Sequence, residues 1–382
     1  MKKILIIMPN DFSNLAGTEN YNLFLMNILF TYYTNFEIDL FSVDCKSNPV
    51  LPPKYQTKFV YYHLNKYFGT DSLIKKTYSL FSKVIECRKE FKKIYKDYDL
   101  ILDSSQIGFP KASQLKNYYL IQHLDFKQYY LAKFISKQGI NSWIRKLIRH
   151  LTNTYNLVKF ANNLVVFDKP NQEFISSYCL NANIFAISLP SKINSISINE
   201  LNSAKRNHCI FLGRLSEQKN ISALIQINKQ LNLIDFYGKS NDAYGDKYKQ
   251  ELSTNNWYAG SIDGQQELIN TLKKYKFMIL YSKYEGFPFS LVEALSQGVP
   301  IIVKNTFLSA SYLCNSKTGL LLPASTTIEE DIELIKKFVL ISNEKYHQLQ
   351  INCVDFYNEN LNINIFTNKW MKIFNQYLEK KN

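Results

Sequence analysis

Apolar residues along this chain fall into short, nearly continuous runs separated by longer stretches with a helical period, and that alternation predicts an α/β fold of parallel strands. In the first half the runs are Ile4 to Met8, Phe36 to Val43, Leu100 to Leu102, Tyr118 to Ile121 and Leu164 to Phe167. Tyr21 to Phe30 and Leu73 to Tyr95 carry apolar residues at helix spacing between them. A polar stretch rich in Ser and Asn, Ser191 to Asn207, interrupts the series, and a second one follows. Its strands are Cys209 to Leu212, Leu233 to Tyr237, Trp257 to Ala259, Phe277 to Leu280, Ile301 to Val303 and Leu320 to Leu322. The tail from Glu344 reads as helices, ending in the amphipathic segment Phe366 to Leu378. The pattern therefore predicts a first doubly wound domain over 1–190, a linker over 191–206, a second doubly wound domain over 207–355 and a helical tail over 356–382. In such sheets ligands gather at the C-terminal ends of the strands.

Length and composition agree with two folded domains. At 382 residues the chain exceeds the roughly 250 to 300 that one core supports, and 46% hydrophobic residues suffice for two. No apolar run approaches the roughly 20 residues of a membrane span. Met1-Lys-Lys leads straight into the first apolar run, which is not the plan of a secretory leader, so a cytoplasmic protein is expected. Six cysteines, at 45, 87, 179, 209, 314 and 353, show neither CxxC nor metal-ligand spacing. Reduced thiols are expected, without disulfides or zinc.

A net charge of +14 points to an anionic partner. Between Asp125 and Asp168 there is no acidic residue, yet Lys127, Lys133, Lys137, Arg145, Lys146, Arg149 and Lys159 occur there among Tyr129, Tyr130, Phe134, Trp143 and Ile144. The segment Leu73 to Tyr95 repeats the theme with Lys75, Lys76, Lys83, Arg88, Lys89, Lys92 and Lys93 beside Leu80, Phe81, Val84, Phe91 and Ile94. Such helices suit an anionic membrane surface, where each basic side chain is worth about 1 kcal/mol. Equally, the apolar stripe packs on the domain core and the lysines face water. No nucleic-acid motif accompanies the charge, and no nucleic-acid partner is expected.

Candidate chemistry concentrates in two blocks of the second half. In Glu285-Gly-Phe-Pro-Phe-Ser-Leu-Val-Glu293-Ala-Leu-Ser-Gln-Gly298, the apolar run before Tyr281 reads as a buried strand, Tyr281 to Phe287 as its exit loop and Phe289 to Gln297 as a helix closed by Gly298. A phosphate-bearing ligand would sit at that helix start, where unpaired N–H groups and the dipole favour an anion and Gly286 admits the backbone closely. Glu285 would then face the ligand from the loop, and Glu293, about one turn inside the helix, would reach its hydroxyls. Without a ligand these are two solvated glutamates. The second block, Phe211-Leu-Gly213-Arg214-Leu-Ser-Glu-Gln-Lys219-Asn-Ile221, releases two cations between a strand and a helix. Cations at a helix start oppose its dipole, so a bound diphosphate explains Arg214 and Lys219 better than solvation does.

Together, Gly213-Arg214-Leu215 with Lys219, then Glu285 to Leu295 and Gly298-Val-Pro-Ile-Ile302, resemble the retaining family 4 glycosyltransferases of GT-B fold, the glycosyl transferases of group 1. The resemblance implies two facing Rossmann-like domains with a C-terminal helix crossing back to the first. It implies that Arg214 and Lys219 hold the diphosphate of a nucleotide sugar and Glu293 its ribose hydroxyls. Glu285 would face the donor sugar, with backbone contacts from Gly286, Phe287 and Pro288, while Ser290, Leu291 and Val292 open the helix near the phosphates. Tyr258 and Gly260, in Trp257-Tyr-Ala-Gly260, fall where such enzymes enclose the base.

In the first domain His123, at the end of the run Tyr118 to Ile121, becomes the active-site histidine contacting the transferred sugar; a lone histidine is otherwise more often structural. Gly17, in Ala16-Gly-Thr-Glu19, stands where family members carry a Gly-rich turn near the diphosphate, although only one glycine is present. The Asn that often follows the last strand of the first domain is missing, since Ile187-Ser-Leu-Pro190 stands there. Asp97-Tyr98-Asp99 has the form of a metal-binding Asp-x-Asp but reads as structural, and no metal or other cofactor is expected. Asp103 and Asp125 remain acceptor-side groups without a motif. The expected activity is retaining transfer from a UDP-linked sugar to a hydroxyl of a glycan or lipid-linked acceptor, at the inner face of the cell membrane, in synthesis of capsule, lipopolysaccharide or another surface polysaccharide. The alternative is a non-catalytic sugar-nucleotide-binding partner subunit. A dehydrogenase is disfavoured, because no G-x-G-x-x-G follows the first strand.

Overall fold

The computed structural model describes residues 1–381 except 14–16, 46–47, 53, 65–72, 106, 110–113, 124–160, 180 and 202–206. The basic, aromatic-rich stretch from Lys127 to Lys159 and Asp125 lie outside the described residues. The chain divides into two compact units, the first formed by 1–187 with 367–382 and the second by 188–366.

In the first unit the seven strands of one sheet are β1 (Lys2–Met8), β3 (Phe36–Cys45), β4 (Thr57–Leu64), β5 (Leu100–Asp103), β6 (Tyr118–Ile121), β7 (Asn163–Val166) and β8 (Asn183–Ala186). They run parallel in the order β4-β3-β1-β5-β6-β7-β8. The central members are apolar on both faces: Ile4 to Met8, Leu100 to Leu102 and Tyr118 to Ile121 are all buried. Two expected helices form, α1 (Gly17–Tyr32) and α2 (Leu73–Ile94). The edge strands β4 and β8 are additions to the expected set. β4 carries the apolar run Phe59 to Tyr62, but none of its residues is fully buried, as suits a strand at the sheet's edge.

The end of the chain belongs to this first unit. A short antiparallel pair joins β2 (Tyr33–Thr34) to β15 (Glu379–Lys380), Tyr33 hydroxyl donates to Asn375 Oδ1 at 2.7 Å, and Trp370 is fully buried.

In the second unit β9 (Asn207–Leu212), β10 (Ile234–Tyr237), β11 (Tyr258–Gly260), β12 (Tyr275–Leu280), β13 (Ile301–Lys304) and β14 (Gly319–Leu322) form a parallel sheet in the order β11-β10-β9-β12-β13-β14. The chain builds outward from β9 in one direction as far as β11, then returns to β9's other side with β12 and builds outward again. The crevice between β9 and β12 is thus the topological switch point, where open α/β sheets take their ligands. Residues 191–206, read from the sequence as a linker, fall inside this unit, with Ile193 and Ile196 buried.

Candidate active site

Both second-half blocks emerge at the switch point. β9 ends at Leu212, just before Gly213, a turn follows at Glu217–Lys219, and Asn220, in the left-handed region at φ 55°, redirects the chain into α3 (Ile221–Leu231). The backbone here is crowded: a Cβ on Gly238, at the end of the neighbouring β10, would lie 1.8 Å from the Gly213 carbonyl oxygen. A Cβ on Gly213 itself would touch Lys219 Cε at 3.4 Å. Glycine at both positions lets the strand ends close up and the Lys219 stem lie across them. Arg214 is exposed and makes no side-chain hydrogen bond or ion pair among the described residues.

Lys219 does the opposite. It is 9% exposed, and its Nζ lies 2.7 Å from Glu285 Oε1, itself on a 6% exposed residue. Two groups 66 positions apart, assigned separate contacts with a donor, therefore meet each other in the free chain. The Glu285 loop is fixed from both sides. Gln218 Nε2 donates to Tyr284 O at 3.0 Å and Glu285 Oε2 at 3.3 Å, Thr306 Oγ1 donates to Ser282 O, and Ser309 Oγ donates to Gly286 O at 2.9 Å. Beneath it, at the exits of β12 and β13, lies a buried network. Lys304 Nζ sits 2.7 Å from Asp331 Oδ2, and the hydroxyls of Tyr281 and Thr326 donate to the same carboxylate.

The loop runs into α4 (Phe289–Ser296), whose N-cap is Pro288 and whose start no side chain caps. Leu291 and Val292 turn their side chains into the core and their N–H groups to the Pro288 carbonyl, at 3.2 and 3.5 Å. Of the residues expected near the phosphates, those two are core residues, and Ser290 is the half-buried one at the helix tip. Phe287 and Pro288 are buried and Gly286 half-buried. Glu293 is 8% exposed, and burial pushes its carboxyl up to about 7, with the Lys192 ammonium pulling the other way. An acid so placed is poised at neutral pH.

Tyr258 and Gly260 lie at the end of β11, on the sheet's edge. The Tyr258 hydroxyl donates to Gly238 O at 3.0 Å, and the Gly260 carbonyl accepts from Gly238 N–H at 2.8 Å. Both expected base-site residues thus hold the end of β10, next to the Lys219 turn.

In the first unit the corresponding switch point lies between β1 and β5. Gly17 opens α1 and is exposed. His123, two residues beyond β6, sets its ring edge-on to Tyr21 at 5.1 Å and against Phe167 at 5.3 Å. Burial lowers its pKa to about 3, so it is neutral throughout the physiological range. Its Nε2 is buried and has no hydrogen-bond partner among the described residues. Tyr21 hydroxyl in turn accepts from Trp370 Nε1 at 3.1 Å, so the last helix, α5 (Ile363–Phe374), braces the residue under the histidine.

Other sequence candidates prove structural. Asp103 is fully buried, takes the Ser105 N–H at 2.7 Å and the Tyr118 hydroxyl, and has its pKa raised by burial, so it does not face an acceptor. In Asp97-Tyr98-Asp99, Asp99 binds Lys2 Nζ at 2.8 Å and Lys3 N–H at 2.9 Å, while Tyr98 hydroxyl donates to Asp39. In the described part of α2, Cys87 and Phe91 enter the core with Val84 and Ile94 against it. Arg88 turns inward to the carbonyls of Gly108 and Ile107, and Lys83 pairs with Asp44. The described part of this helix thus packs its apolar stripe on the core. Sequence reading missed Gln218, Lys192 and the Tyr21–Trp370 pair, whose types are common and whose significance arises only from distant partners.

Two units with parallel sheets match the GT-B fold. Residues 193–353 match the family described as Glycosyl transferases group 1. Sucrose-phosphate synthase from Thermosynechococcus elongatus is similar in structure, with a TM-score of 0.72 at 15% identity over 98% of this chain and 99% of that one. WaaG, a glycosyltransferase involved in lipopolysaccharide biosynthesis, gives 0.67 at 11% identity over 97% and 99%. HepE from Anabaena, in complex with UDP and glucose, gives 0.61 at 15% identity over 98% and 100%. In sequence, an uncharacterized 41.2 kDa protein in the cps region of Klebsiella pneumoniae is 22% identical over 344 residues, 86% of this chain and 92% of that protein. The match thus lies within the second unit, and the chain carries the GT-B fold. No described helix is long and apolar enough to cross a membrane.

Proposed function

We propose that this chain is a retaining glycosyltransferase that moves a sugar from a UDP-linked donor to a hydroxyl of a glycan or lipid-linked acceptor in surface polysaccharide synthesis. The observation that carries the reading is the meeting of Lys219 and Glu285 at the switch point of a group 1 domain, with Glu293 one turn into the adjoining helix. HepE, bound to UDP and glucose, and WaaG, with its lipopolysaccharide role, support the donor and the setting.

In this reading the diphosphate lies at the uncapped start of α4, between Arg214 and Lys219. The departing nucleoside diphosphate gains negative charge as the glycosidic bond breaks, so fixed cations favour the transition state over the ground state. Glu285 receives the donor sugar and Glu293 the ribose. The role expected of His123, neutral in its buried setting, belongs to the same proposal. Retention follows from attack on the face the phosphate leaves, the acceptor's proton passing to the departing phosphate oxygen. Transfer needs no metal, and activity should survive a chelator. Association with an anionic membrane surface rests on the basic residues between Lys127 and Lys159.

A panel of nucleotide sugars, read by released nucleoside diphosphate, tests the proposal. One donor should turn over, and Lys219→Ala should lower kcat by about 100-fold, the scale of losing one preorganised anion-stabilising donor. Binding of every donor without turnover would refute it in favour of the non-catalytic partner subunit.

A further inference from the structure

Glu285 is anchored twice, by groups of different kinds. Lys219 Nζ stands 2.7 Å from Oε1, and Gln218 Nε2 stands 3.3 Å from Oε2. Gln218 also donates from Nε2 to Tyr284 O at 3.0 Å, while its backbone carbonyl accepts the Lys283 N–H at 2.8 Å. Since Tyr284 O only accepts, and the Glu285 carboxylate likewise, the amide nitrogen must face them. Three bonds from one residue thus lace the Glu285 loop to the Lys219 turn. The parallel contact, Lys283 Nζ to Glu217 Oε1 at 3.0 Å, joins exposed groups and adds little.

The two anchors respond differently to a diphosphate. An ammonium is drawn to the incoming anion and releases part of its hold on the carboxylate. A neutral amide is not competed away in this manner. We propose that Gln218 is a positioning residue, keeping the Glu285 carboxylate and the Tyr284–Glu285 peptide in place while Lys219 engages the donor. The inference rests on the transferase reading above.

Gln218→Met keeps the side-chain length and removes the donor. Amide exchange across 281–288 in the free protein should accelerate about tenfold, as expected for losing hydrogen bonds to a carboxylate and a carbonyl. With the donor found in the panel, kcat should fall about tenfold while donor KM stays within about twofold. In a Glu285→Ala background, which removes the acceptor, the same substitution should lower kcat by less than in the natural chain, because part of its effect passes through the carboxylate. Should Gln218→Met fold poorly, Gln218→Asn, one methylene short of Glu285, should show the same pattern at smaller size. Unaltered exchange, or an equal kcat loss in both backgrounds, would overturn the proposal. Faster loop exchange in a chain that turns over no nucleotide sugar would uphold the clamp and refute the transferase reading alone.

Discussion

Replacing Glu293 by Gln should stabilise the second unit, and do so more strongly in alkali than in acid. The carboxyl is 8% exposed, and burial raises it from 4.5 to about 7 against the pull of Lys192. The folded state therefore holds the proton more tightly than the unfolded chain. Stability from the neutral form is fully present below 4.5 and is lost as pH rises through 7. At 1.36 kcal/mol per tenfold in the ionisation constant, charging this group costs about 1 kcal/mol at pH 5.5 and about 3 kcal/mol at pH 8. A glutamine of the same shape carries no such cost. Urea unfolding of both proteins at the two pH values should show the variant's advantage growing by about 2 kcal/mol at pH 8. An advantage of equal size at both would refute the reasoning, since it would leave ionisation out of the effect. The same burial predicts how the site works: if only the carboxylate grips ribose hydroxyls, affinity for a UDP-sugar should be about tenfold weaker at pH 6 than at pH 8, and Glu293→Gln should lose that dependence. The sugar diphosphate diester does not itself titrate there.

Two further perturbations test the scaffold. Gly238→Ala would drive a Cβ to 1.8 Å from the Gly213 carbonyl and should abolish soluble expression, whereas Gly260→Ala, with φ 107° but open space around it, should cost only the backbone strain, about 1 to 3 kcal/mol by thermal unfolding. Asp331→Ala strands the buried Lys304 ammonium and should cost about 3 to 5 kcal/mol in urea, much of it recovered by Lys304→Met with Asp331→Leu, which removes both charges.

Much of the architecture was readable from residue order. Parallel strands covered on both faces must be apolar throughout, so β1, β5, β6, β9, β12 and β13 announced themselves, and the turn glycines and helix periods between them did the rest. The edges of the first sheet did not: β4 and β8 have no fully buried residue, so neither carries the core signature of the strands between them. At the candidate site, residue type and spacing singled out Lys219, Glu285 and Glu293, and the fold brings Lys219 and Glu285 together. Spacing could not reveal that Lys219 and Glu285, 66 positions apart, bind each other, since that depends on β9 and β12 becoming neighbours in the sheet. Nor could it separate Leu291 and Val292, turned to the core, from Ser290 at the helix tip, or mark Gln218 among other glutamines. Local chemistry follows from the covalent order of residues, which is why motifs and strand cores can be read along a line. Burial, pairing and pKa arise from what the fold brings alongside, and those made Glu293 an acid near neutrality, His123 a neutral ring and Asp103 a structural group.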